Sequence, residues 1–353
     1  MTMASIRTIA FWAAALLFSS CSQQQVESEP EVYSFQVPAN FPQPVFDTHN
    51  PMSHQGIELG RKLFYDVRLS ANNKVSCASC HQPQLAFTDG MQLSKAGVSG
   101  TALLRHAPAI FNLAWVNNGL FWDGGSTNLE SQVFGPLTAH DEMAQNLYEL
   151  VDELNAVPAF VSAFQNAFQE PVSSQNVAKA LAQFQRSLVS AGSKYDRYRL
   201  NQTGGALTSD ELAGLMLVRQ KCQGCHTGEL FTDQGYHNNG IDADFSNTEH
   251  EGLYTGRYRI SYDLADLGKF KTPSLRNVAL TAPYMHDGRF TSLEDVLDHY
   301  SAAVKPSATL DARLPASGLN LSAQEKKQII LFLHTLTDLG FTQNPDHHKP
   351  QNF

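Results

Sequence analysis

The pattern C-x-x-C-H occurs twice, as Cys77, Cys80 and His81 in "VSCASCHQPQLAFTDG" and as Cys222, Cys225 and His226 in "QKCQGCHTG". No other feature limits the fold so sharply. Two thiols three residues apart lie along one edge of a helical turn, and the next imidazole sits beside them. Three chemistries use this spacing: a redox dithiol, a zinc site, and a haem held by two thioethers with a histidine under its iron. A redox pair has no need of the histidine, and a zinc ribbon gathers its four thiols into one site. Of the five cysteines, four lie in these motifs, so nothing remains for a disulfide framework. Two covalently bound c-type haems are expected, with His81 and His226 as proximal ligands.

Such haems are attached outside the cytoplasm, and the N-terminus agrees. "MTMASIRTIAFWAAALLFSSCS" has Arg7, an apolar run from Ile9 to Phe18, and small residues before Cys21. A signal peptide over residues 1–20 is predicted, its apolar run too short for a membrane span. Cys21 after a small pair resembles a lipoprotein cleavage site. Residues 21–44 then form a lipid-anchored tether and a Pro-rich lead-in. An ordinary signal peptide with an incidental Cys21 is the alternative. The expected location is the periplasm, tethered to a membrane. A net charge of −9 gives no reason to expect nucleic-acid binding and is compatible with a basic redox partner.

The rest of the chain reads as helices and loops. "SHQGIELGRKLFYD" places Ile57, Leu59, Leu63 and Phe64 at helical spacing, and "NVAKALAQFQRSLVS" puts Val177, Leu181, Phe184 and Leu188 on one face. A second unit opens with a Thr208–Glu211 capping box and closes with a helix capped by Ser322 and Glu325, with Ile329, Leu333 and Leu336 inward. The expected fold is mainly α: two cytochrome c-like domains, each with one covalent c-type haem. Gly and polar residues cluster in "LNQTGGALTS", which sets the domains at 45–203 and 204–345.

From about Asn50 to Asp338 the chain resembles the bacterial diheme cytochrome c peroxidases and their relatives of the MauG type. The likeness rests on "CASCHQPQLAFTDG", "RHAPAIFNLAW", "FWDGG", "LESQ", "GPLTAHDEM", "CQGCHTG", "TPSLRNVALTAPYMHDG" and "TSLEDVLDHY", in that order. It implies a peroxidatic N-terminal haem and an electron-relaying C-terminal one. Peroxide cleavage needs an open iron and a side chain that moves a proton between the two oxygens. Glu142 matches the family's catalytic Glu, and Gln132 its distal-pocket Gln. Trp122 matches the Trp between the haems. Members of the peroxidase branch carry a distal His in the loop after the first motif. The matching "MQLSKAGVSGTALL" has none, which implies a haem open without prior reduction.

The sixth ligand of the second haem is a Met in one branch and a Tyr in the other. Tyr300 stands at the matching position, and Met285 in "PYMHDG" is the rival. Thr291 and Glu294 are expected to cap the helix of Tyr300, with Leu293, Val296, Leu297 and Tyr300 on one inward face. His286 matches a His near the second haem's edge. His106 stands where the family often has an Asn that holds calcium with the Thr281 and Pro283 carbonyls. Calcium prefers oxygen donors, so a calcium ion is left open but disfavoured. Gly125 replaces the family's usual Arg after "WDG".

The leading expectation is a peroxidase that reduces hydrogen peroxide to water with electrons from a small cytochrome c or cupredoxin. A MauG-like, peroxide-driven oxidase of a protein side chain is the alternative. A non-catalytic diheme electron carrier is the third reading, disfavoured by Glu142, Gln132 and the missing distal His. A homodimer is compatible with the sequence.

Overall fold

A computed structural model describes residues 29–46, 48–247 and 251–351. The predicted signal peptide and Cys21 lie outside the described residues. Helices dominate: α1 (His54–Tyr65), α2 (Leu129–Gln132), α3 (Phe134–Thr138), α4 (Leu147–Asn155), α5 (Pro158–Phe168), α6 (Ser174–Ser187), α7 (Lys194–Arg199), α8 (Ser209–Lys221), α9 (Glu251–Tyr254), α10 (Tyr258–Ser261), α11 (Leu293–Ala302), α12 (Ala323–His334) and α13 (Leu339–Thr342). The strands β1 (Tyr236–His237) and β2 (Phe270–Lys271) pair antiparallel. Among the described residues no helix is long and apolar enough to cross a membrane.

Helix α1 begins where the Ser53 hydroxyl accepts the Gly56 N–H at 3.0 Å, and α6 where Ser173 accepts from Asn176. Leu59, Leu63 and Phe64 of α1 meet Val177, Leu181 and Phe184 of α6, all of them buried. Full burial of each such side chain contributes roughly 1.5–3 kcal/mol. The crossing is close because Gly60 has no side chain: a Cβ there would lie 2.0 Å from the Ala180 carbonyl oxygen. The second unit repeats the device. The Thr208–Glu211 and Ser322–Glu325 capping boxes form as predicted at α8 and α12. A Cβ on Gly214 would lie 1.9 Å from the Gln328 carbonyl oxygen. Around that crossing Leu215, Val218, Ile329, Phe332 and Leu333 form a second core.

Helix α11 corrects one expectation. Its N-cap is Ser292, not Thr291. The Ser292 hydroxyl accepts the Asp295 N–H at 3.0 Å while the Asp295 carboxylate accepts the Ser292 N–H at 3.1 Å. Asp295 thus takes the reciprocal role expected of Glu294. Leu293 and Leu297 are buried, and Val296 and Tyr300 half-buried, on the expected face.

Several contacts join the units. Tyr195 of α7 belongs to the second core, whereas Phe341 of α13 returns to the first. Arg276 and Asp196 make a buried bidentate pair at 2.7 and 2.9 Å. The extended lead-in crosses both sides: Pro42 accepts from the Trp115 indole at 2.7 Å, and Phe41 lies under the Arg276 guanidinium. Asn112, Ser190, Asn277 and Asp338 form a buried polar chain in which each supplies or takes a hydrogen bond.

Candidate functional site

Both C-x-x-C-H motifs fold in the same way. After each, the chain turns through a phenylalanine at positive φ, Phe87 (63°) and Phe231 (52°). That conformation aims the phenylalanine carbonyl back at the histidine. His81 Nδ1 lies 2.8 Å from the Phe87 oxygen, and His226 Nδ1 lies 3.1 Å from the Phe231 oxygen. A carbonyl only accepts, so each imidazole carries its proton on Nδ1 and leaves Nε2 bare as a ligand. Burial lowers the proton affinity of both rings, which keeps them neutral. Burial also pushes the Cys77 thiol up to about 12 and Cys222 and Cys225 up to about 11. A redox dithiol needs the opposite shift. The four sulfurs are free of disulfides.

Above the first motif lies a cavity of about 70 Å³. Cys77, Cys80 and His81 stand in its wall together with Gln132 and Glu142. Helix α2 delivers Gln132. The Glu130 carboxylate takes two bonds from Arg186 of α6, at 2.6 and 2.8 Å, and Leu129 is buried beneath it. Glu142 sits in the turn after α3. Its N–H donates to Ala139 at 3.0 Å, and its carbonyl accepts from Val98 at 2.7 Å. No hydrogen bond reaches its carboxyl group among the described residues. Burial, and next the Asp141 charge, raise its proton affinity. The loop 91–104, which holds no histidine, passes beside it.

A larger cavity of about 220 Å³ shares Ile110, Gln132 and Gln185 with the first and reaches Trp122 and Met285. Trp122 spans the two units. Its indole donates to His106 O at 2.8 Å, and its carbonyl accepts from Lys271 of β2 at 2.8 Å. His106 N–H in turn donates to His286 O, and the His286 ring stacks on Phe270 at 3.6 Å. Met285 and Tyr300 converge. Asn239 Nδ2 donates to Tyr300 Oη at 3.3 Å and to Met285 Sδ at 3.4 Å. Tyr300 is within electrostatic reach of Cys225 and Cys222, and burial pushes its phenol up to about 12. A phenolate there needs a cation beside it.

Residues 54–204 match the di-haem cytochrome c peroxidase family. The methylamine utilization protein MauG of Methylorubrum extorquens is 36% identical over 329 residues, 92% of this chain and 88% of that protein. The cytochrome-c peroxidase IdrP1 of a Pseudomonas species is 38% identical over 319 residues, 82% of each chain. This chain belongs to the di-haem cytochrome c peroxidase family. A crystal structure of a MauG-like protein associated with microbial copper homeostasis superposes with a TM-score of 0.82 at 34% identity, covering 90% of this chain and 99% of that one. The diheme peroxidase BthA of Burkholderia thailandensis shares the fold, with a TM-score of 0.68 at 23% identity.

The family implies two haem groups, and the residues present fit them: two bare Nε2 atoms, four free sulfurs and an apolar cavity at the first motif. Calcium does not fit. His106, Thr281 and Pro283 do line one cavity. However, the His106 ring is an imidazole with both nitrogens engaged, by Met91 O at 2.8 Å and Thr88 Oγ1 at 3.2 Å. Cys225, Asp233 and His237 also come together. There the Arg313 guanidinium, 2.7 Å from His237 Nδ1, already fills the role of a cation.

Sequence reasoning missed four participants. Asn239 joins the two rival ligands. The Phe87 and Phe231 carbonyls orient the histidines. Asp123 takes Arg105 and Arg259 at 2.7 and 2.9 Å beside Gly125, where the family's usual Arg is absent. One signal was available: each motif is followed by Phe-Thr-Asp, at 87–89 and at 231–233.

Proposed function

We propose that the chain reduces hydrogen peroxide to water at the first motif, with electrons entering through the second. The observation that carries this is the pairing of Glu142 and Gln132 with His81 in the wall of one cavity. Haem, which Cys77 with Cys80 and Cys222 with Cys225 would hold covalently, would supply the redox chemistry; the balance is H2O2 plus two electrons and two protons to two waters. His81 holds its Nε2 toward the cavity through the Phe87 bond. The Glu142 carboxylate, raised in proton affinity and without a hydrogen-bond partner among the described residues, would take a proton from one peroxide oxygen. It would return that proton to the other oxygen, which would leave as water. The Gln132 amide orients the bound peroxide by hydrogen bonding. Trp122, bonded to segments of both units, lies on the route between the motifs. Export to the periplasm, with a lipid on Cys21, is part of this reading. So is a small cytochrome c or cupredoxin as donor.

A peroxide-driven oxidation of a protein side chain is the second reading. It is favoured by Tyr300, whose phenol meets Met285 at Asn239 and is the harder, anionic ligand of the two. The test begins with the diferric holoprotein. Cyanide should perturb one haem's spectrum without pre-reduction, and steady-state turnover of peroxide with reduced cytochrome c should follow. Two six-coordinate, low-spin ferric haems would overturn the open site. Cyanide binding without donor turnover would favour the protein-oxidising reading.

A further inference from the structure

We propose that Gly97 is a positioning residue for Glu142. The inference rests on the reading of Glu142 as the proton-moving group. A carboxyl group with no hydrogen-bond partner among the described residues is placed by its backbone and by packing, with no polar anchor of its own. That backbone leans on loop 91–104. Val98 N–H donates to the Glu142 carbonyl at 2.7 Å. Immediately before it, Gly97 lies so close that a Cβ would sit 1.8 Å from the Asp141 carbonyl oxygen and 3.1 Å from Glu142 Cα. Neither atom is the end of a flexible side chain, so a single methyl group must displace the 141–142 peptide.

The same loop is fixed to the first motif. Ser94 is fully buried, with its hydroxyl 3.4 Å from Cys80 Sγ and its carbonyl accepting from Leu103 at 2.8 Å. The path from Cys80 through Ser94 to Gly97 and Val98 is therefore a short strut between the cysteine pair and the Glu142 turn. It sets the height of the carboxyl over the cavity, which side-chain bonding does not.

The far end of the strut meets the second unit. His106 Nδ1 lies 2.8 Å from Met91 O, and a Cβ on Gly288, just after the "MHD" of 285–287, would lie 2.7 Å from Gln92 O. The loop is thus held along its length, and it meets the 141–142 turn at Gly97, Val98 and Ser99, of which Gly97 makes the closest backbone approach.

The test is stopped-flow reaction of the diferric holoprotein with peroxide. A displacement of about an ångström costs on the order of 10²-fold in a positioned reaction. Gly97→Ala should therefore lower the second-order rate about 10- to 100-fold with both haems retained. Its acid limb should move toward the ordinary carboxylate range, because a displaced Glu142 is better solvated. Added to Glu142→Gln, it should change the rate less than about twofold. Losses that multiply in the double variant, or a Gly97→Ala rate within about twofold of the parent, would overturn the proposal. If Gly97→Ala does not retain its haems, Val98→Pro removes the N–H without adding a Cβ at 97 and carries the same expectations. If Glu142→Gln alone leaves the rate unchanged, the underlying reading of Glu142 falls, and this proposal with it.

Discussion

The two motif-bearing units are alike on the histidine side and different elsewhere. In each, a helix before the motif crosses a helix far downstream through a glycine, Gly60 or Gly214. In each, a phenylalanine carbonyl at positive φ fixes the imidazole. What differs is the rest of the surroundings. The first unit brings Gln132 and Glu142 to a cavity, where the Glu142 carboxyl has no hydrogen-bond partner among the described residues. The second draws Tyr300 and Met285 together on one amide, Asn239. A common frame with two different linings suits the proposed division of labour, with a carboxyl and an amide at the first motif and two rival ligands at the second. The lining, not the frame, therefore carries the chemistry.

The largest effect should come from removing the proton carrier on the open side. Glu142→Gln keeps the shape and should lower peroxide turnover by about 10²–10⁴-fold at normal haem content. The carboxylate is the form that accepts the proton, and burial raises its proton affinity. Parent turnover should thus fall with decreasing pH above the ordinary carboxylate range, and the variant should lose that limb. Turnover within about twofold of the parent would erase the contrast between the two linings.

The frame is tested by overpacking it. Gly60→Val and Gly214→Val should each destabilise the protein by about 1–3 kcal/mol, read by denaturant unfolding. Each should disturb the spectrum of the haem in its own unit first. An equal disturbance of both haems from either substitution would mean that the units do not behave separately.

The smallest effect sharpens the second lining. Tyr300→Phe should remove a phenolate charge-transfer feature, raise the second haem's potential and leave peroxide binding at the first intact. Met285→Leu should change that spectrum little. The reverse pattern, with a thioether band lost only in Met285→Leu, would assign the sulfur as ligand and favour the electron-uptake reading.

Much of the frame was legible in the sequence because caps and apolar spacing are local. Thr208 with Glu211 and Ser322 with Glu325 start their helices where side-chain chemistry says they should. The one-residue shift at Ser292 shows the limit: adjacent Thr and Ser with adjacent Glu and Asp offer two registers, and packing of Leu293 and Leu297 decides. Cys77, Cys80, His81 and their second copies were legible from spacing, and Glu142, Gln132 and Trp122 only through resemblance. The Phe87 and Phe231 acceptors were hidden because a backbone carbonyl has no side-chain signature. Asn239 was hidden because its partners are 46 and 61 residues away. Gly97 was hidden because its role is to be absent from a space that only the folded chain defines.

The glycine crossings have one more consequence. Where two helices touch backbone to backbone, a single missing methyl group permits the approach and the buried side chains around it supply the hold. The segment strung between the crossing helices carries the motif and its surroundings: Cys77, His81, Gln132 and Glu142 in the first unit, Cys222, His226, Met285 and Tyr300 in the second. Each crossing therefore acts as the hinge of a locket: it fixes where the two ends of the segment meet, and a substitution that changes the contents need not touch the hinge.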